Sequence, residues 1–194
     1  MLKNLAAVSA ALLIFTGAAS AATMFSDDFS SYGSKTELNA PDSLFGGAWS
    51  TTEGTVDYLA EGDIFGGLCQ GTGNCIDLDG TTTNSGIFSS IEFDAGSYTL
   101  DIGLFGSGRD TTETVTITLG DWTTTISNIG AADDASTSFS FSTTGGALSF
   151  ENAGGDNIGA ILTSVDLAPV PLPSGGLLLL AGLGGLAMVR RKKA

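Results

Sequence analysis

Arg109, in the stretch FGSGRDTTE, is one of only two cations in the body of this 194-residue chain, the other being Lys35. A guanidinium set among glycines can fork onto the hydroxyls or carboxylates of a ligand, or pin its own loop through an ion pair with the neighbouring Asp110. Trp49, Trp122 and Tyr58 carry the aromatic faces that could stack on the apolar face of a sugar ring. Both tryptophans suit a core equally well as side chains. Trp122, in LGDWTTT, follows an apparent strand and could stand on a loop or on the exposed face of the next strand.

The chemistry these residues could serve is narrowed by what is missing. The chain has no histidine, so Ser-His-Asp and Cys-His nucleophiles and imidazole-ligated metal hydroxides are excluded. Glycoside hydrolysis needs only two carboxyl groups about 5 to 10 Å apart. Among 21 acidic residues some pair always falls at that spacing, so this signal selects nothing. The expectation is a non-catalytic protein, with a small glycoside hydrolase as the distant alternative.

Calcium is the one cofactor the acids suggest. The segment NCIDLDG imitates the end of an EF-hand loop, but Cys75 occupies the first ligand position and Gly86 the bidentate twelfth, which excludes that loop. A different grouping remains: Asp27 and Asp28 near the start of the body, with Asp156, Asn157 and Asp166 near its end, could hold a structural calcium if the first and last strands meet. The competing reading is that these are solvated turn and surface carboxylates.

The formal charge is −14, but its distribution says more: Lys3, Arg190, Arg191, Lys192 and Lys193 lie at the termini, while all 21 acids lie between Asp27 and Asp166. With only Lys35 and Arg109 to oppose them, the body carries −19. Such a surface repels nucleic-acid phosphates and anionic headgroups, so no nucleic-acid partner is expected.

The elements that must position these residues are strands. TVDYL alternates Val56 and Tyr58 with polar neighbours, and CIDLD alternates Ile76 and Leu78 with Asp77 and Asp79. SYTLDIGLF and ETVTITL continue the period of two, as do Phe139 and Phe141, Leu148 and Phe150, and Ile161, Val165 and Leu167. Period two predicts one buried face per strand, and turn-rich breaks at intervals of about ten residues predict an antiparallel sandwich. The expected fold is all-β, a jelly-roll-like β-sandwich over 22–168, flanked by an N-terminal signal-peptide helix and a C-terminal hydrophobic helix.

The first 22 residues, MLKNLAAVSAALLIFTGAASAA, combine Lys3, an apolar run from Leu5 to Phe15, and the small triplet Ala19, Ser20 and Ala21. This is the pattern of a secretory signal peptide cleaved after Ala21. Outside the cytoplasm, Cys69 and Cys75 are expected to pair and close the loop CQGTGNC. The other end reads VPLPSGGLLLLAGLGGLAMVRRKKA, with no charge from Gly175 to Val189 and then four cations. As a helix that run would span about 22 Å, with the basic cluster on the cytoplasmic side. Five glycines suit it to a temporary anchor better than a permanent span.

Val170, Pro171, Leu172, Pro173 and Ser174, then the glycine-leucine segment 175–189, then Arg190 to Lys193 resemble the VPLPA-type C-terminal sorting signals of Gram-negative bacteria, relatives of the PEP-CTERM signals. The resemblance covers residues 169–194 and departs from the pattern at Ser174, where alanine is usual. It implies recognition by an exosortase-type membrane transpeptidase, cleavage near the proline motif, and delivery of an inner-membrane precursor to the cell surface or extracellular matrix. The body loosely resembles galactose-binding-like modules through its FSDDFS, NCIDLDG and GGDNIGAILTSVDL segments. That resemblance implies a calcium-stabilised carbohydrate-binding module as the alternative to a matrix protein that associates with extracellular polysaccharide.

Overall fold

The computed structural model describes residues 24–82 and 84–171. The signal peptide, the segment 175–189 and the basic tail lie outside the described residues; of the proline motif only Val170 and Pro171 fall within them.

Among the described residues eleven antiparallel strands form two sheets. Sheet A has the order β3 (Asp57–Leu59), β4 (Cys75–Asp77), β11 (Ile161–Pro169), β6 (Gly96–Phe105) and β9 (Thr137–Thr143), with β1 (Phe25–Asp27) also paired to β11. Sheet B has the order β2 (Trp49–Thr52), β5 (Ile87–Phe93), β10 (Gly146–Asn152), β7 (Thr112–Leu119) and β8 (Trp122–Gly130). This is the antiparallel, jelly-roll-like sandwich that the alternation predicts.

The inward positions fall as the period requires. Leu100, Ile102 and Leu104 of β6 and Val115, Ile117 and Leu119 of β7 are buried against one another's sheets, with Leu148, Phe150, Val165 and Leu167 completing the layer. Their threonine neighbours stay on the outer face, where a β-branched side chain favours the strand and remains hydrated.

An aromatic group closes one end of the core. Trp49 stacks on Phe88 at 4.4 Å between ring centroids, Phe29 lies tilted against both rings, and Phe45 meets Phe88 and Tyr32 edge-on. Asp27 organises this group. One carboxylate oxygen accepts from the Phe29 N–H at 2.8 Å, and the other accepts from the Trp49 indole N–H at 2.7 Å and from the Tyr32 hydroxyl. The bond from Phe29 closes a short side-chain turn, which holds Phe29 at the rare φ of 60° and drives its ring into the core.

The single-face expectation fails at β3 and β4. All six of their residues are buried, Asp57 and Asp77 included. The cause is the β3–β4 connection, which folds back over the outer face of sheet A instead of running clear of it.

Candidate ligand-binding cleft

The covering loop is stapled by the expected disulfide, Cys69–Cys75, which joins it to the start of β4. Cys69 and Cys75 then pack with Leu59 and Ile161, flanked by Leu68 and Phe105, as a second small core on the outer side of sheet A. Beside this core the loop and the sheet leave a cleft of about 210 Å³. One wall is apolar, made by Leu38, Leu59, Phe65 and Leu68; the other carries Asp57, Asp77, Thr81, Arg109 and Asn157.

The polar wall is built by strand register and by three loops. Asp57 and Asp77 are direct cross-strand partners, so both carboxylates emerge on the same face. Asp57 accepts from the Asn39 N–H at 2.6 Å and the Thr81 N–H at 3.1 Å with one oxygen, and from the Thr81 hydroxyl at 2.6 Å with the other. Asp77 forms an ion pair with the Arg109 guanidinium through one oxygen and accepts from the Asp79 N–H at 3.1 Å with the other. Arg109 also donates to the Asn157 carbonyl at 2.6 Å, tying the β6–β7 loop to the β10–β11 loop. Asp79, fully buried, secures that second loop from below by accepting from the Gly155 and Asp156 N–H groups at 2.9 and 3.2 Å.

Burial dominates the electrostatics. Asp77 is pushed up to about 7, first by desolvation, which outweighs the opposing pull of Arg109; the nearby Asp57 adds to the rise. Around neutral pH the contact therefore exchanges between an ion pair and a neutral carboxyl beside a guanidinium. The glycine at 159 is required here by close approach: a Cβ on it would sit 2.3 Å from the Asp79 nitrogen and 2.5 Å from an Asp77 carboxylate oxygen.

The apolar wall is open to solvent. Phe65 is 40% exposed, Ile64 82% and Leu38 43%. A shallower groove of about 320 Å³, lined by Ile64, Phe65, Gly67, Leu68 and Arg109, adjoins the cleft. Phe65, Leu68 and Arg109 border both.

Of the four residues the sequence offers as ligand contacts, only Arg109 reaches this cleft. Its ion pair is with Asp77, not with the adjacent Asp110. Trp49 is a correction: it is buried, its ring covered by Phe88 and its N–H spent on Asp27, so it presents no face. Tyr58 is a second. Fully buried, it donates its hydroxyl to the carbonyls of Gly33 at 2.7 Å and Phe29 at 3.2 Å, and accepts from the Asn74 side chain at 2.7 Å. Trp122 also lies away from the cleft: half-buried at the start of β8, it packs against the core and stacks on Phe141 of β9 with ring centroids 3.8 Å apart.

The five residues offered for calcium do not converge. Asp27 is committed to Phe29, Tyr32 and Trp49, and Asp28 to the Ser30 N–H and hydroxyl, whose hydrogen bonds hold its carboxyl below the ordinary range. Asp166 lies within β11, opposite Ser26 and Asp101. Asp156 and Asn157 belong to the loop entering the other end of that strand. Among the described residues no three His, Cys, Asp or Glu side chains gather where one metal ion could be held.

Asp57, Asp77, Asp79, Thr81, Phe65 and Leu68 are the site residues that alternation misses. The available signal was the apolar content of the loop DIFGGLC, which is unusual for a solvated connection and marks it as a cover.

No protein-family model matches the chain, and no curated protein matches its sequence. Solved structures similar to it include an exo-β-1,3-galactanase from Phanerochaete chrysosporium with galactose, at TM-score 0.37 and 14% identity over 68% of this chain. The chain spans 28% of that protein's length. Two others are single modules. A carbohydrate-binding module from the Cellvibrio mixtus lichenase 5A, in complex with cellotriose, matches at TM-score 0.37 and 10% identity, over 70% of this chain and 97% of the module. A CBM35 from Paenibacillus barcinonensis matches at TM-score 0.39 and 9% identity, over 70% of this chain and 98% of the module.

Proposed function

We propose that the chain is an exported, non-catalytic cell-surface protein whose sandwich domain binds an extracellular polysaccharide in the cleft beneath Arg109. The observation that carries this reading is the pairing, across one opening, of an exposed apolar wall containing Phe65 with a guanidinium held in place by Asp77 and the Asn157 carbonyl. A sugar offers these same two surfaces: an apolar ring face for the phenyl group and hydroxyls for the fork and its neighbours. The geometry favours a dedicated binding module over broad adhesion, because the polar wall is fixed by loops from three parts of the chain.

Turnover is not part of the reading. Among the described residues Asp57 and Asp77 are the two carboxylates bordering the cleft, and each is buried with both oxygens hydrogen-bonded or ion-paired. On this reading each carboxylate holds the walls of the cleft in place and takes no general acid or base role.

Binding to a glycan array by the wild-type chain, Arg109→Ala and Phe65→Ala tests the cleft. Saturable binding to a glycan, weakened at least about tenfold by each variant, is the expected result, since loss of one good polar or stacking contact costs about 1.4 kcal/mol or more. An array with no wild-type signal overturns the reading. The address is tested separately: protein recovered from the cell surface is expected by intact mass to lack Arg190 to Ala194, as the resemblance of its C-terminus to sorting signals implies.

A further inference from the structure

On one flank of the sandwich both sheets end in long strands: β9 is the last strand of sheet A and β8 the last of sheet B. The stack of Trp122 on Phe141 places them side by side across the core. An edge strand turns a row of backbone N–H and C=O groups outward without partners in its sheet. Proteins guard such rows with lysine, proline, brevity or a covering segment.

The other edges are guarded in this way. β2 has four residues and β3 three, and β3 is further bridged by Glu37 through Tyr58. Among the described residues nothing covers the β8–β9 flank, and its one guard is a bulge near the end of β8. Before its bulge at Asn128, β8 reads WTTTIS, and β9 reads TSFSFST; neither contains a charge or a proline. Thr123, Thr125 and Ser127 on β8, and Ser138, Ser140 and Ser142 on β9, point outward and are exposed, while the larger residues between them face the core. Segments of six or seven residues with high strand propensity and no charge are the ones that pair with further strands. Electrostatics selects the same flank. Two copies of a body carrying 21 acids against two cations repel over most orientations, and least where uncharged strips meet.

We propose that this flank is a self-association surface on which a second copy of the chain lays its own β8 and β9, antiparallel, about a two-fold axis normal to the sheets. Each sheet then continues through the pair. Because both uncovered edges lie on one flank, pairing consumes them together and the assembly closes at two copies instead of growing as a fibre. With the axis at the middle of Thr137–Thr143, Ser140 meets its own counterpart in the second copy. The cleft lies elsewhere, so self-association and glycan binding succeed or fail independently.

Charge substitution at that axis gives the test. Sedimentation velocity of the full chain, in one detergent and across a concentration series, is expected to show dimers for the wild type. Ser140→Lys and Ser140→Glu, each alone, are expected to weaken association at least tenfold because like charges face each other. An equimolar mixture of the two restores dimers, since lysine then meets glutamate. Thr125→Lys on β8 produces the same loss, so the result does not hang on one position. A wild type that stays monomeric, single variants that dimerise as the wild type does, or a mixture that does not recover overturns the proposal.

Discussion

Arg109 and Asp77, 32 residues apart in the chain, form an ion pair over the outer face of sheet A in which the carboxylate is 4% exposed and the guanidinium 33%. One partner is thus a structural group and the other reaches the opening. Arg109→Met is therefore expected to act on stability as well as on binding. It leaves a buried carboxylate without its counter-charge, at a cost of about 3 kcal/mol at pH 8. At pH 5, where Asp77 is protonated, the cost shrinks. Urea unfolding at the two pH values checks the difference, and equal costs would show that the pair contributes nothing through charge.

The pH dependence of the unsubstituted domain has a definite sign. In the unfolded chain Asp77 titrates near 3.8, and in the folded domain it is raised to about 7. Between those values the folded state holds the proton more tightly, so this group's contribution to stability is fully present below about pH 4 and is lost as pH rises to about 7. At about 1.4 kcal/mol per unit, the loss amounts to a few kcal/mol. Asp77→Asn removes the titrating group and is expected to flatten the melting temperature between pH 4 and 7. An unchanged slope in that variant would assign the dependence to other carboxylates.

Asp27 is expected to matter through its three donors and not through a metal. Asp27→Ala strips acceptors from the buried Trp49 indole, the Tyr32 hydroxyl and the Phe29 N–H, at a cost of about 2 to 4 kcal/mol, and should shift tryptophan fluorescence to the red. EDTA is expected to leave the melting temperature where it was. A drop of several degrees on chelation would return calcium to this end of the domain.

Opening the disulfide tests whether the covering loop makes the cleft. The loop it closes spans six residues in separation, so the chain-entropy contribution is about 2 kcal/mol. Cys69→Ala with Cys75→Ala should cost that much stability. It should also reduce glycan affinity more than a remote change of equal cost, because Phe65 and Leu68 lose their anchor. Affinity unchanged in the double variant would separate the loop from binding.

The inward rows of β6, β7, β10 and β11 are legible in the sequence because each strand has one face against the core and the other in water, and alternation records that difference. In TVDYL and CIDLD the same alternation is present, yet Asp57 and Asp77 are buried. A period of two says which residues share a face; it does not say whether a loop covers that face. Trp122 could not be placed for a related reason: its position after Gly120 and Asp121 reads as a turn, while its packing against the core follows from pairing with Leu119 in β7, a relation between strands. Arg109 was legible from scarcity alone, and its partner Asp77 was not, because long-range pairing of charges leaves no trace in local spacing. The acids near the two ends of the body do approach through β1 and β11, but hydrogen bonding to nearby donors, invisible in composition, commits Asp27 and Asp28.

Of the described strands, the last made is the one at the centre of sheet A. β11 pairs with β1 and β4 along one side and with β6 along the other, so 161–169 joins segments that precede it by more than 130 residues at the extreme. While the chain is still emerging, β3 with β4 and β6 with β9 can form as separate pairs, and β1 has no partner at all. Sheet A is completed only when Pro169 has been delivered, two residues before the proline at 171. Synthesis order thus keeps this half of the molecule open until its final segment arrives, and a chain truncated before Ile161 would lack the strand around which that sheet assembles.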